Sequence, residues 1–348
     1  MALRLLQILV GEPKGGAEAF FVKLAGALQK RGVDQLLAIR RDAARCDALT
    51  AAGCVVEQFE FGDNIIRDYA ERWRLAQITR TFRPSLALAW MNRAARRMPR
   101  GAFVKVGRIG GYYRARNYRR CDWIIANSPD LQRFIVEDGW PDDRAVMISN
   151  FGELPAAKPA ARAEFDTPED APLLLALGRL HPSKGFDLLV AAAAEIPDAY
   201  VWIAGSGDEL LALQAQAKSL GVADRVRFLG WRGDQSALLQ SCDVCVVPSR
   251  HEPLSNVTIE AWSLGVPVVA AASEGPSWLV DDEENGLLAP VDDASALATQ
   301  LRRVLQDDTL RNTIATGGHA KWSAHFSEDA IVDRYLAFFD RAMAAQQR

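Results

Sequence analysis

Histidine is scarce in this chain: four in 348 residues, at 181, 251, 319 and 325, so no imidazole is available before residue 181. Cysteine is nearly as rare, with five residues at 46, 54, 121, 242 and 245. That is too few, in a chain this long, for a secreted disulfide framework. Cys242 and Cys245 have the spacing of a redox or zinc pair. No second pair or nearby pair of histidines completes a metal site, however, and 244–247 reads as a buried strand, so both thiols are expected to be structural. Long apolar runs are missing too. None approaches the roughly 18 residues that span a bilayer, and 188–194 is among the longest. The first ten residues read as a strand with no small-residue cleavage site after it, so the chain is expected to be cytoplasmic.

What is present is an ordinary soluble composition, 49% hydrophobic and 24% charged. The length exceeds one core and implies about two domains. The net charge of −3 hides an asymmetry. Residues 1–150 hold 25 lysines and arginines against 16 acids, a net of +9, and residues 151–348 hold 16 against 28, a net of −12. Such a division hints at different partners for the two halves.

Short apolar runs alternate with amphipathic stretches, the signature of an α/β fold with parallel sheets. Strands are expected at 3–10, 35–39, 55–59, 86–90, 103–109, 123–126 and 145–148, with helices notably at 16–31 and 66–81. Residues 153–172, rich in alanine, proline and charge and without periodicity, read as a linker. A second series follows, with strands at 173–177, 199–204, 226–228, 244–247 and 266–270 and helices at 186–195 and 209–220. Each half therefore reads as an open, doubly wound sheet, whose ligands bind beyond the carboxyl ends of the strands.

Four segments leave strand ends in the second half. In the first, Gly178, Arg179, Lys184 and Gly185 place a planar fork and a compact charge on one loop, a pairing suited to a diphosphate. The second is Gly205-Ser206-Gly207, a turn that lets a ligand approach the backbone. In the third, Phe228-Leu229-Gly230-Trp231, a strand ends beside a ring that could flank a flat base. The fourth runs from Pro248 to Ala261 and carries Glu252 and Glu260 eight positions apart. Ser255 and Asn256 are good helix N-caps, and Gly265 stops the helix. The amides of Asn256 and Val257 and the positive helix end would suit phosphate. Glu260, one turn inside on the face of Asn256, is placed to take both hydroxyls of a ribose.

Taken together and in this order, these segments resemble the motifs of the retaining glycosyltransferases of the GT-B fold, specifically glycosyltransferase family 4 (glycosyl transferases group 1). The flanks 243–249 and 261–269 resemble the family as well. The resemblance implies an α/β protein of two doubly wound, Rossmann-like domains facing a central cleft. An acceptor-side domain would occupy 1–152, the linker 153–172 and the nucleotide-sugar domain 173–329, with a C-terminal helix within 330–348 packing back on the first domain. It implies Glu252, Arg179 and Lys184 as catalytic residues, with Glu252 orienting the donor sugar. Gly178, Gly205, Gly207, Gly230, Trp231, Ser255, Asn256, Val257 and Glu260 would bind the donor, together with Gly15 and Gly16 in a glycine-rich loop after the first strand. No cofactor and no metal are expected, the cations stabilising the leaving diphosphate instead.

The first half departs from the family in one respect. Many members place a histidine there near the reacting sugar, and this chain has none. Asn92, Arg93 or Arg108 are the available substitutes, and Tyr112, Tyr113, Arg114 and Arg116 complete the expected acceptor side. Between 93 and 120 stand ten lysines and arginines and no acid, interleaved with Tyr112, Tyr113 and Tyr118. An anionic glycan, a lipid-linked acceptor or an anionic membrane surface would account for them better than nucleic acid. The resulting expectation is transfer of a sugar, UDP-linked by preference, onto a glycan or lipid-linked acceptor of lipopolysaccharide or another envelope polysaccharide, at the inner face of the membrane. Another GT-B sugar-nucleotide enzyme, an epimerase or trehalose-phosphate-type synthase, is the alternative. A basic nucleic-acid-binding protein is a more distant one, and it leaves Glu252 and Glu260 without a purpose.

Overall fold

The computed structural model describes residues 3–12, 15–61 and 65–346. The chain divides into two compact units, Met1–Asn150 with Ile331–Arg348, and Phe151–Ala330.

The first unit is built on seven parallel strands: β1 (Arg4–Leu9), β2 (Asp34–Arg40), β3 (Val55–Phe59), β4 (Leu86–Trp90), β5 (Val104–Ile109), β6 (Trp123–Ala126) and β7 (Ala145–Met147). Their order is β3-β2-β1-β4-β5-β6-β7, so the winding reverses between β1 and β4. Strands covered on both faces read as continuous apolar runs, and every residue of β4 is buried. Gln7 and Gln35 break that rule. Gln7 Nε2 donates to Gln35 Oε1 at 2.8 Å, and Trp90 Nε1 donates to Gln7 Oε1 at 2.9 Å. The buried amides are thereby satisfied by one another across three strands.

The helix Glu328–Gln346 buries Ile331, Tyr335, Phe338, Phe339 and Ala342, a single stripe at helical spacing. Phe338 meets Trp123 edge-on at 5.7 Å. Residues 347 and 348, included in the expected C-terminal helix, lie outside the described residues.

The second unit carries β8 (Leu173–Leu177), β9 (Tyr200–Ala204), β10 (Val226–Gly230), β11 (Val244–Val247), β12 (Val268–Ala271) and β13 (Leu287–Ala289), also parallel and ordered β10-β9-β8-β11-β12-β13. β12 starts two residues later than expected. Pro267 has no amide to donate, although its carbonyl still accepts from Cys245 N at 2.9 Å.

The expected linker 153–172 is not free. It belongs to the second unit, held there by main-chain and side-chain bonds that composition does not reveal. Ala157 N donates to Gln240 Oε1 at 2.7 Å and Ser241 Oγ to Ala160 O at 3.1 Å. Phe165 packs edge-on to Trp202 at 4.7 Å, and Trp202 Nε1 donates to Thr167 Oγ1 at 2.9 Å. Arg162 satisfies three carbonyls, those of Glu169 (3.0 Å), Ala171 (2.6 Å) and Ser241 (2.9 Å).

Removing the Arg162 guanidinium strands those carbonyls, a loss of about 2 kcal/mol. Arg162→Ala is expected to lower the calorimetric melting temperature of a unit this size by roughly 4–8 °C. An unchanged transition would mean that 153–172 is a passive tether.

Candidate functional site

Three loops of the second unit lock together at the carboxyl ends of β8, β9 and β10. Gly178 N donates to Ala204 O at 3.0 Å, Gly205 N to Gly230 O at 2.7 Å and Leu180 N to Ser206 O at 2.9 Å. A Cβ on Gly205 would lie 1.7 Å from Gly178 O, so no other residue fits there. Arg179, projecting from this cluster, is exposed and has no hydrogen-bond or ion-pair partner among the described residues. Trp231 is 63% exposed just past Gly230.

A fourth loop, after β11, is stitched to the first. Arg250 N and His251 N both donate to Ser183 O, at 2.9 and 3.1 Å. Gly185 has φ +64°, and a Cβ there would lie 2.0 Å from Pro248 O. Arg250 grips Asp187 with two bonds of 2.7 Å and also pairs with Asp292. The guanidinium holds the Asp187 carboxyl below its ordinary range, and the two acids raise Arg250 further. These contacts leave Lys184 and Glu252 face to face. Lys184 Nζ donates to Glu252 Oε2, and Ser249 Oγ donates to the same oxygen at 3.3 Å. Lysine and glutamate stand 68 positions apart in the chain, yet form one partly buried ion pair.

The Glu252 main chain is clamped from a fifth loop that the sequence reading did not single out. Glu252 N donates to Glu274 Oε2 at 3.1 Å, and Gly275 N donates to Glu252 O at 2.7 Å. His251 Nδ1 lies 3.2 Å from Glu274 Oε1. Burial pushes the Glu274 carboxyl up. The amides of Glu274 and Glu252, with His251, outweigh burial and hold it below its ordinary range. Its signal in the sequence is slight, a Ser-Glu-Gly at the end of β12 like those that end the other strands.

Ser255 caps the helix Asn256–Ser263, its hydroxyl accepting from Thr258 N at 3.3 Å, and Gly265 follows with φ +69°. Asn256, Val257 and Glu260 are half-buried. Gly152 presses so close that a Cβ on it would lie 3.1 Å from Glu260 Cγ. Burial pushes the Cys245 thiol up to about 12 and the Cys242 thiol well above its ordinary value, which leaves both protonated. Among the described residues no three His, Cys, Asp or Glu side chains converge as metal ligands.

The expected acceptor-side residues lie in the first unit and are not equivalent. Gly15 and Gly16 open the helix Gly16–Lys30, above a buried Glu18 whose Oε1 accepts from Glu12 N at 3.2 Å. Asn92 and Arg93 lie in the short helix Met91–Ala95, which Met91 enters with a left-handed φ of +61°. Tyr113 OH donates to Met91 Sδ at 3.8 Å, and Tyr112 OH donates to Asp130 at 2.6 Å. Arg116 is exposed.

Arg108, expected on the acceptor side, is 1% exposed. Its Nε donates to Tyr335 OH at 2.8 Å and its Nη2 to Asn150 Oδ1, between the rings of Phe20 and Trp90. The basic stretch 93–120 is likewise less bare than its composition implies. Acids from elsewhere in the unit neutralise Arg93 (Glu12), Arg97 (Asp68), Lys105 (Asp122) and Arg114 (Asp138). Tyr118 is fully buried rather than interleaved at the surface.

Comparisons with known proteins match the sequence and the fold. The model of the family "Glycosyl transferases group 1" matches residues 157–320. "Lipopolysaccharide core biosynthesis glycosyltransferase LpsE" of Rhizobium meliloti (strain 1021) is 39% identical over 92% of this chain and 95% of its own length. LpsD of the same organism, which carries the same description, is 37% identical over 95% and 96%. Among solved structures, Anabaena Alr3699/HepE in complex with UDP superposes with a TM-score of 0.84 at 24% identity, covering 97% of this chain and 100% of that one. The two parallel, Rossmann-like sheets are those of GT-B glycosyltransferases. With these strand-end loops and these relatives along nearly its whole length, the chain belongs to the glycosyl transferases group 1 family.

Proposed function

We propose that this protein is a retaining glycosyltransferase of family 4. It moves a hexosyl group from a nucleotide-diphosphate sugar, UDP-linked by preference, to a glycan or lipid-linked acceptor in lipopolysaccharide core or related envelope synthesis. One observation carries the reading: Lys184 and Glu252, from loops 68 positions apart, meet beside the capped helix that bears Glu260. The names of the two Rhizobium relatives support the pathway, and the UDP held by the Anabaena structure supports the nucleotide.

In this reading Arg179 and Lys184 hold the diphosphate, assisted by the amides of Asn256 and Val257 behind the Ser255 cap. Glu260 takes the ribose hydroxyls, and the base lies by Gly230 and Trp231. Gly178, Gly205 and Gly207, with Gly15 and Gly16 in the first unit, let phosphates approach the main chain. Glu252, clamped by Glu274 and Gly275, orients the sugar. As the glycosidic bond breaks, negative charge grows on the diphosphate, and the two cations with the helix end stabilise it in the place a metal ion takes in other transferases. The acceptor hydroxyl attacks from the face the phosphate leaves, and the phosphate takes its proton. No helix among the described residues is long and apolar enough to cross a membrane. Association with the inner face of the membrane is proposed to be peripheral, through exposed cations of the first unit such as Arg116.

Calorimetric titration with UDP is expected to show binding that Glu260→Ala weakens about 10- to 100-fold, the worth of a lost charge-assisted pair. Unchanged affinity in that variant would contradict the ribose assignment. Two further variants separate charge from positioning. Lys184→Ala is expected to lower kcat about 10²–10³-fold. Glu274→Ala, which displaces Glu252 without touching the nucleotide, is expected to lower kcat about 10- to 100-fold with the UDP affinity kept. Loss of UDP affinity in Glu274→Ala would reduce that residue to a structural prop.

A further inference from the structure

Arg108 is the most deeply buried cation named above, and its partners are all neutral. Its Nε and Nη2 are taken by the Tyr335 hydroxyl and the Asn150 side-chain oxygen. Phe20 and Trp90 flank it at 4.8 and 4.6 Å. Among the described residues no carboxylate forms an ion pair with it, and Nη1 forms no hydrogen bond. Ring faces and neutral oxygens offset only part of the cost of desolvating a full charge.

A second unspent group lies beside it. β5 and β6 pair with Arg108 opposite Ile125, and Asn127 is the first residue beyond β6. Asn127 is 7% exposed, and its Oδ1 is buried without a hydrogen-bond partner. Its Nδ2 also has none among the described residues. The two side chains converge over a glycine. The position a Cβ would take on Gly110 lies 3.6 Å from Asn127 Nδ2 and 3.8 Å from Arg108 Nη1. One point at the strand ends is therefore within reach of a guanidinium N–H and an amide N–H, and no side chain of residue 110 covers it.

We propose that Arg108 and Asn127 form a subsite for one anionic group, a phosphate or carboxylate. Two converging donors, one of them charged, match two oxygens of such a group. The anion completes the pairing that the fold leaves open at Arg108. It is a substituent of the acceptor, because the subsite lies at the strand ends of the first unit while the proposed donor groups lie in the second. That attribution rests on the transferase reading above, and the existence of the subsite does not.

The test uses the full chain carrying Arg179→Ala and Lys184→Ala, so that the donor-side cations do not compete for the probe. The side-chain amide signal of Asn127, identified by its disappearance in Asn127→Ala, is followed by NMR during titration with orthophosphate and with acetate. At least one is expected to shift it saturably at millimolar concentration, while glycerol does not. Gly110→Ala, at a position without left-handed strain, is expected to fold normally and to weaken the binding about tenfold or more, because its methyl covers the shared point. Asn127→Asp supplies a carboxylate to Arg108 from within, and is expected to abolish anion binding and raise the melting temperature. An Asn127 signal that neither anion moves overturns the subsite, as do Gly110→Ala and Asn127→Asp proteins that bind like the parent. With Arg179 and Lys184 restored, Gly110→Ala is expected to raise the KM for the acceptor while UDP affinity holds. An unchanged KM would overturn the acceptor attribution alone. A protein without transferase activity would still report on the subsite through the amide.

Discussion

Main-chain crowding at the carboxyl edge of the second sheet is the constraint on which the rest depends. The Gly205 position comes so near the Gly178 carbonyl that a side chain is impossible, and Gly185 sits under the Pro248 carbonyl in a left-handed conformation. Loops held this closely cannot drift independently, so groups from distant parts of the chain keep a fixed geometry. Lys184 and Glu252 meet because Ser183 O takes two amides of the 248–260 loop and Arg250 grips Asp187.

The first unit is organised differently. A line of buried polar groups crosses its sheet, from Gln35 to Gln7 to the Trp90 ring, on whose face Arg108 lies. Each member except the last is satisfied by a neutral neighbour. Arg108 carries the only full charge in that line, and it sits beside an asparagine with a buried, unpartnered oxygen. Four of the ten cations between 93 and 120, Arg93, Arg97, Lys105 and Arg114, pair with acids of the same unit, while Arg96, Arg100, Arg116, Arg119 and Arg120 are exposed.

Most strand positions were legible because parallel strands covered on both faces read as unbroken apolar runs. β13, Leu287–Ala289, was not: three residues are too few to show a pattern, and it is tied in by pairing with β12. The strand-end motifs were legible because glycine, arginine, lysine and glutamate recur where a doubly wound sheet binds its ligands. Their mutual contacts were not, since nothing in a sequence says that Lys184 faces Glu252 or that Glu274 clamps its main chain. Composition misled twice for the same reason. The stretch 153–172 and four of the cations of 93–120 look like a linker and a bare basic face until their partners are seen, and partners up to 83 positions away leave no local trace.

Hydrogen exchange read by mass spectrometry, with and without saturating UDP-sugar, tests the central claim most directly. If the donor is held by the crowded loops of the second unit, protection rises in peptides covering 178–185, 205–207, 228–231 and 249–260 together. A bound nucleotide that protects none of these segments, or protects only loops of the first unit, would contradict it.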